Sequence, residues 1–201
     1  MGTNAIEEKI KQLKRIFERT DKFDFLPIRI ASPKEFYEAI GRAKKVNKHG
    51  ACVDQLTIEE YAAMPFLFVT LDGMAGIAVT SDNNIVSVFN GGTHHGVLKT
   101  LMPVAIGVGG NKLDNYDVAK LSGLYELYGF NPISKTAFDE TFAPSDWNYE
   151  RDGHPDIVFW LHNGDAMSDV LLNFGKYDVS WDDVQEFLTY EDARAYRDSK
   201  T

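Results

Sequence analysis

Apolar residues at three- and four-residue steps open the chain: Ile6, Ile10, Leu13, Ile16 and Phe17 recur between Lys and Glu, the period of a helix resting one face on a core. Lys9, Lys11, Lys14, Arg15 and Arg19 form its solvated face. The pattern changes to alternation at Pro27-Ile28-Arg29-Ile30-Ala31, a first strand. Ser32-Pro33 then marks a helix start, with Ser32 as cap and Pro33 at the first helical position, and Phe36, Ile40 and Ala43 line one side of that helix until the polar turn Asn47 to Gly50. Thr57-Ile58-Glu59-Glu60 has the spacing of a capping box and predicts a short helix from Ile58 to Met64.

Three strands follow as an antiparallel meander. Pro65 to Leu71 is rich in Phe, Val and Thr, Asp72-Gly73 is a turn signal, Ala75 to Thr80 returns, Ser81 to Asn84 turns again and Ile85 to Phe89 forms the third. Val97, Leu98, Leu101, Ala105 and Val108 share a helical face closed by Gly109-Gly110. Pro103 interrupts it, and predicts either a kink or a helix that begins only near Pro103. Lys112 to Tyr116 reads as a strand, Val118 to Tyr128 as a helix stopped by Gly129, and Ile133 to Phe138 and Asp156 to Leu161 as two last strands around an aromatic loop. Asp165 to Phe174 and Trp181 to Leu188 read as helices, the latter capped by Ser180 with Asp183 three residues on, and the charged tail from Glu191 is expected to fray. The fold class is α/β in the broad sense, α+β in detail: a mixed, mainly antiparallel sheet flanked by helices, with extra helices at both ends. The organisation expected is an accessory helix over 1–24, a central domain over 25–162 and a helical extension over 163–201.

Composition narrows the function classes. With 44% hydrophobic and 25% charged residues in 201, the chain has the profile of a globular protein able to bury a substantial core. A formal net charge of -9 argues against a broad nucleic-acid surface, which needs clustered Lys and Arg. Cys52 is the only cysteine, so neither an intrachain disulfide nor a Cys zinc cluster can form, and its neighbours Ala51 and Val53 suggest a small buried hydrophobe. No apolar stretch approaches the roughly 18 residues of a membrane span, and Met1 to Glu8 lack a basic head followed by an apolar run; the expected compartment is the cytoplasm, with no membrane partner.

Chemistry concentrates between Asn84 and Phe130, where a strand runs through a Gly-broken turn into a helix, followed by a strand and a second helix ending in Leu124-Tyr125-Glu126-Leu127-Tyr128-Gly129-Phe130. A helix start after a Gly-containing loop offers unpaired N–H groups and a positive dipole end to a diphosphate. The order of elements from about Phe25 to Leu161, together with the Tyr125 to Phe130 motif, resembles the GNAT superfamily of N-acetyltransferases over roughly two thirds of the chain. The family's diphosphate loop, Arg/Gln-x-x-Gly-x-Gly/Ala, finds its best match at Thr93-His94-His95-Gly96-Val97-Leu98, where only Gly96 is retained. The chain is also similar in flavour to GNAT-like proteins carried by bacteriophages and prophages.

The resemblance implies acetyl-CoA as co-substrate and a primary amine, small-molecule or protein-borne, as acceptor. It makes Tyr125 the general acid that protonates the departing thiolate; a phenol near pKa 10 arrives protonated at neutral pH. It makes Ser87, Val88 and Phe89 the strand whose backbone pairs with the pantetheine arm, and His95, Gly96, Val97 and Leu98 the diphosphate site. For the base that must deprotonate the amine, Asp114 is the candidate, with Asp117 and Glu60 as alternatives. His94 and His95 are adjacent on a loop and cannot easily both face one ion, so no metal is assigned. Two functions follow: an acetyl-CoA-dependent N-acetyltransferase, or a catalytically inactive GNAT-like binding protein, phage-encoded and acting on a host protein.

Overall fold

The computed structural model describes residues 3–20, 25–92, 94–118 and 121–201, and the fold is mixed α+β. In chain order the elements begin with α1 (Thr3–Thr20), β1 (Ile28–Ile30), α2 (Pro33–Val46), α3 (Ile58–Ala62), β2 (Phe66–Thr70), β3 (Ala75–Val79), β4 (Ile85–Asn90) and α4 (Leu98–Gly107). They continue with β5 (Lys112–Tyr116), α5 (Leu121–Glu126), β6 (Phe130–Thr136), α6 (Tyr149–Asp152), β7 (Ile157–His162), α7 (Met167–Leu172), β8 (Gln185–Phe187) and α8 (Tyr190–Asp198). The chain forms two compact units, Met1–Gly110 with Ala166–Leu172, and Asn111–Asp165 with Asn173–Thr201.

The first unit holds an antiparallel sheet in the order β1-β2-β3-β4. Its helices start where the local chemistry directs. Ser32 and Glu35 exchange side-chain-to-backbone bonds at the head of α2, Thr57 and Glu60 do the same at α3, and each pair satisfies two otherwise orphaned N–H groups. Phe36, Ile40, Ala43 and Tyr61 from these helices bury against Leu67, Val69, Ala78 and Phe89 of the sheet. Strand β3 is buried along its whole length, and Gly76 is the smallest residue there for a reason: a Cβ would come within 2.6 Å of both the Phe68 carbonyl oxygen and the Phe89 ring. Ile6 of α1 is buried, whereas the side chains of Leu13 and Phe17, expected on the same face, lie outside the described residues. Helix α4 starts at Leu98 and continues through Pro103, so the later start expected near that proline does not occur; Leu101, Met102, Val104 and Ala105 bury around it. Its C-terminal carbonyl at Gly107 accepts from the Lys9 ammonium, and Met167 of α7 packs where a Gly107 side chain would stand.

The second unit holds a sheet in the order β5-β7-β6-β8, antiparallel except for the parallel pair of β6 and β8. Strand β6 starts at Phe130, earlier than Ile133, and tolerates Pro132 because the register shifts between Pro132 and Ser134. Helix α5 is shorter than the expected Val118 to Tyr128; Ala119 and Lys120, which that expectation includes, lie outside the described residues. Trp181 to Leu188 is not a helix. Ser180 Oγ accepts from the amide two residues on, at Asp182, which closes a turn, and Gln185 to Phe187 then pair with Ser134 to Thr136. The true cap is Thr189, whose side chain accepts from Asp192 and starts α8. The tail does not fray, because Ala193 and Arg197 of α8 are wholly buried and Ser134 donates to the Ala193 carbonyl.

Candidate functional site

Strand β4 carries an irregularity. Gly76 lies opposite Phe89 and Ala78 opposite Val86, so Ser87 and Val88 together face the single residue Ile77, the two-against-one arrangement of a β-bulge. Ser87 has a φ of +49°, a left-handed conformation that side chains other than glycine adopt at a cost. Three contacts fix it. The Tyr61 hydroxyl lies 3.0 Å from Ser87 Oγ, Ser87 Oγ donates to the Asp54 carbonyl at 3.3 Å, and the Leu56 amide donates to the Tyr61 hydroxyl at 3.2 Å. An amide can only donate and a carbonyl can only accept, so the chain has one direction: Leu56 N–H to Tyr61, Tyr61 O–H to Ser87, Ser87 O–H to Asp54. Burial raises the Tyr61 phenol above its ordinary pKa and keeps its proton in place. Among the described residues Ser87 gives its proton to a carbonyl and not to a base, which leaves it unactivated as a nucleophile.

From β4 the chain enters the turn Gly91 to Val97. Asn90 holds it at both sides: its side-chain oxygen accepts from the Gly92 amide, its side-chain nitrogen donates to the His94 carbonyl, and Asn47 donates to its backbone carbonyl. His94 Nε2 lies 2.8 Å from Asp72 Oδ2, and Asp72 also accepts from the Thr70 hydroxyl and the Met74 amide. Partial burial opposes the Asp72 charge, but these hydrogen bonds outweigh it and hold the carboxyl below its ordinary range. Gly96 has a φ of +72°, and the side-chain carbons of Lys99 are the near neighbours of a Cβ placed there, at 3.8 and 4.0 Å. At the head of α4 the amides of Lys99, Thr100 and Leu101 bond back to Gly96 and Val97. Among the described residues no group accepts from the amides of His95, Gly96, Val97 or Leu98.

The expected cofactor residues therefore divide by chemistry. His95 and Gly96 are exposed, Leu98 is half-buried and the Val97 side chain is buried, so this stretch offers backbone donors with Lys99 alongside. Thr93 lies outside the described residues. The Phe89 side chain belongs to the core, its ring 5.4 Å from that of Phe36, and Ser87 is tied to Tyr61; Val88 is half-buried. What this strand can present is its main chain at the bulge.

Tyr125 and Asp114 belong to the second unit. Tyr125 is 3% exposed, its ring 6.2 Å from Trp160 and 6.4 Å from Phe130, and burial, with a smaller contribution from the Asp114 charge, pushes its phenol well above the ordinary value. Asp114 is engaged: Tyr190 donates to it at 3.1 Å and the Arg197 guanidinium stands 3.8 Å away. Of the alternative bases, Glu60 completes the α3 cap and is held below its ordinary range by bonds from Thr57, while the Asp117 amide donates to the Asp156 carbonyl. Half-buried Cys52 stands in the Gly50–Cys52 turn.

Tyr61, Lys99 and Asp72 as the partner of His94 are the site-forming groups that sequence reasoning passes over. Lys99 has a legible signal, a cation three residues after the turn glycine. Tyr61 has none, because its contacts come from residues 5 and 26 positions away.

No protein-family model matches the chain, and no match was found among curated proteins or solved structures. Among the described residues, no helix is long and apolar enough to cross a membrane.

Proposed function

We propose that this chain is a GNAT-like N-acetyltransferase that takes an acetyl group from acetyl-CoA to a primary amine. The observation that carries this reading is the continuity of a bulged strand with a turn whose amides at His95 to Leu98 meet no acceptor among the described residues, directly before a ten-residue helix. A bulge frees main-chain groups from the ladder, and a helix start after glycine attracts phosphate. The turn at His95 to Leu98 fits a diphosphate because a side chain is absent at Gly96 and, among the described residues, no group accepts from its backbone donors. Strand orders β1-β2-β3-β4 and β5-β7-β6 give further support, as does the run of two helices, three strands, helix and strand after β1.

In this reading acetyl-CoA supplies an activated thioester. The amides of His95 to Leu98 hold its diphosphate and the main chain at Ser87 to Phe89 holds its arm; the amine nitrogen bonds to the acetyl carbon as the carbon–sulfur bond breaks, and the proton lost by the amine passes through water to the leaving thiolate. Tyr125 holds its proton at neutral pH, and its raised pKa makes it a weaker donor than an ordinary phenol.

The second reading, a binding protein that keeps the fold without the reaction, is favoured by two specific features. Tyr125 is buried among aromatic rings, and Asp114 is committed to Tyr190 and Arg197 rather than to a proton on an amine.

Thermal melting with and without acetyl-CoA tests the first step: at a hundred times the dissociation constant the native state gains about 2.7 kcal/mol, or roughly 5–10 °C for a chain of this size. An unmoved midpoint at millimolar acetyl-CoA removes both the cofactor and the reaction. A shift without release of free thiol across a panel of amines selects the binding protein.

A further inference from the structure

We infer that Tyr61 is a positioning residue for the pantetheine arm, setting the β4 bulge in the shape that presents main-chain groups of Ser87 to Phe89. The inference deepens the proposed acetyl-CoA reading and rests on it.

A β-bulge needs a reason to persist. Removing one residue from β4 would restore the ladder with β3, and the left-handed Ser87 backbone stores strain that the surroundings must offset. Two elements outside the sheet supply the restraint. Tyr61 comes from α3, wholly buried with its ring 4.9 Å from Phe36, so the hydroxyl is delivered to Ser87 by a rigid part of the core. The segment before α3 supplies the rest, since Leu56 donates to the same hydroxyl and Asp54 accepts from Ser87. The one-way order of these bonds spends every proton in the chain on fixing the serine. Tyr61 thereby connects the core to the part of β4 where the acyl-CoA arm is proposed to lie, without touching the arm or the reacting atoms.

A positioning role differs from a general packing role in which half of the ligand it affects. ADP carries the diphosphate that the Gly96 turn would hold and lacks the pantetheine arm. Acetyl-CoA carries both. Tyr61→Phe keeps the buried ring and removes only the hydroxyl, and Ser87→Gly removes the other end of the bond while accommodating the positive φ. Dissociation constants for acetyl-CoA and ADP are measured by calorimetry on the wild-type chain and on both variants. The loss of one positioning hydrogen bond corresponds to roughly a five- to tenfold weaker acetyl-CoA complex, with ADP affinity changed less than about twofold. Amide hydrogen exchange on the unliganded variants should quicken at Ser87 to Phe89 and stay unchanged across β2.

If either variant binds acetyl-CoA as tightly as wild type, or loses ADP affinity in equal measure, the positioning role is overturned while the acetyl-CoA reading stands. If wild type binds neither ligand, it is the acetyl-CoA reading itself that falls. Should Tyr61→Phe fail to fold, the Ser87→Gly pair of constants decides the matter alone.

Discussion

Arg197→Ala is expected to unfold much of the second unit's sheet at denaturant concentrations the wild type survives. The guanidinium is completely buried on α8. Its Nε donates to Asp198 at 3.0 Å, its Nη1 donates to the Leu113 carbonyl at 3.0 Å, its Nη2 pairs with Asp198 at 2.9 Å, and its charge lies 5.6 Å from the Phe159 ring centre. Truncation leaves Asp198 with Lys112 at 3.2 Å and Asp114 with Tyr190 at 3.1 Å, so neither carboxylate is abandoned, but the Leu113 carbonyl loses a charged donor inside the protein. Leaving the buried Leu113 carbonyl without its donor costs about 1–3 kcal/mol and the lost side-chain packing adds about 1–3 kcal/mol, so about 4 kcal/mol is expected. That is a large share of the roughly 5–15 kcal/mol that holds a typical domain folded. Arg197→Met, which keeps most of the stem, should recover roughly 1 kcal/mol of this. Urea titrations read by Trp fluorescence measure both, because Trp160 and Trp181 lie in the same unit. A loss below about 1 kcal/mol for the alanine variant would refute the assignment of this arginine as a structural anchor and return it to the class of surface charges.

His162 should make the protein acid-sensitive. Gly164 donates to its Nδ1 and its Nε2 faces the Tyr128 carbonyl, so the neutral ring with a proton on Nε2 satisfies both, and burial holds its pKa below the ordinary value. The folded state therefore binds this proton less readily than the unfolded one. Its stabilising contribution is complete above about pH 6.5 and declines as the pH falls toward the depressed folded value, by at most about 1.4 kcal/mol per pH unit. Melting curves between pH 7.5 and 5 should show a fall that His162→Gln flattens, and an equal slope in both proteins refutes it. Gly76→Ala should cost about 2–3 kcal/mol by equilibrium unfolding, since its Cβ meets a carbonyl oxygen at 2.6 Å that cannot rotate away. Gly96→Ala should cost only about 1 kcal/mol, through its positive φ, while weakening acetyl-CoA in calorimetry; unchanged affinity would remove the turn from the proposed site.

What the sequence made legible was local. The two capping boxes, the Ser32-Pro33 start and the Asp72-Gly73 turn each complete their hydrogen bonds within a few residues, so pattern and structure agree there. The misreadings share another cause. Ser180-x-x-Asp183 and Thr189-x-x-Asp192 look alike, and only the pairing of Gln185 to Phe187 with Ser134 to Thr136 selects the second as a cap. A tail written in charges resembles a solvated one until Leu113, Asp114 and Phe159, all distant in sequence, are placed around Arg197. The bulge at Ser87 is invisible for the same reason, since strand periodicity says nothing about a residue whose conformation is imposed by a tyrosine in another element.

The interleaving of the two units sets an order of events for a growing chain. When Gly110 has left the ribosome, every strand of the first sheet is present, yet the helix that packs over Gly107 is still more than fifty residues from synthesis. A nascent protein must therefore carry that apolar patch uncovered while the β5 to β7 hairpin system is being made, and a gene fragment ending at residue 110 would keep it uncovered for good. Any attempt to express the halves separately has to graft residues 166–172 onto the first of them.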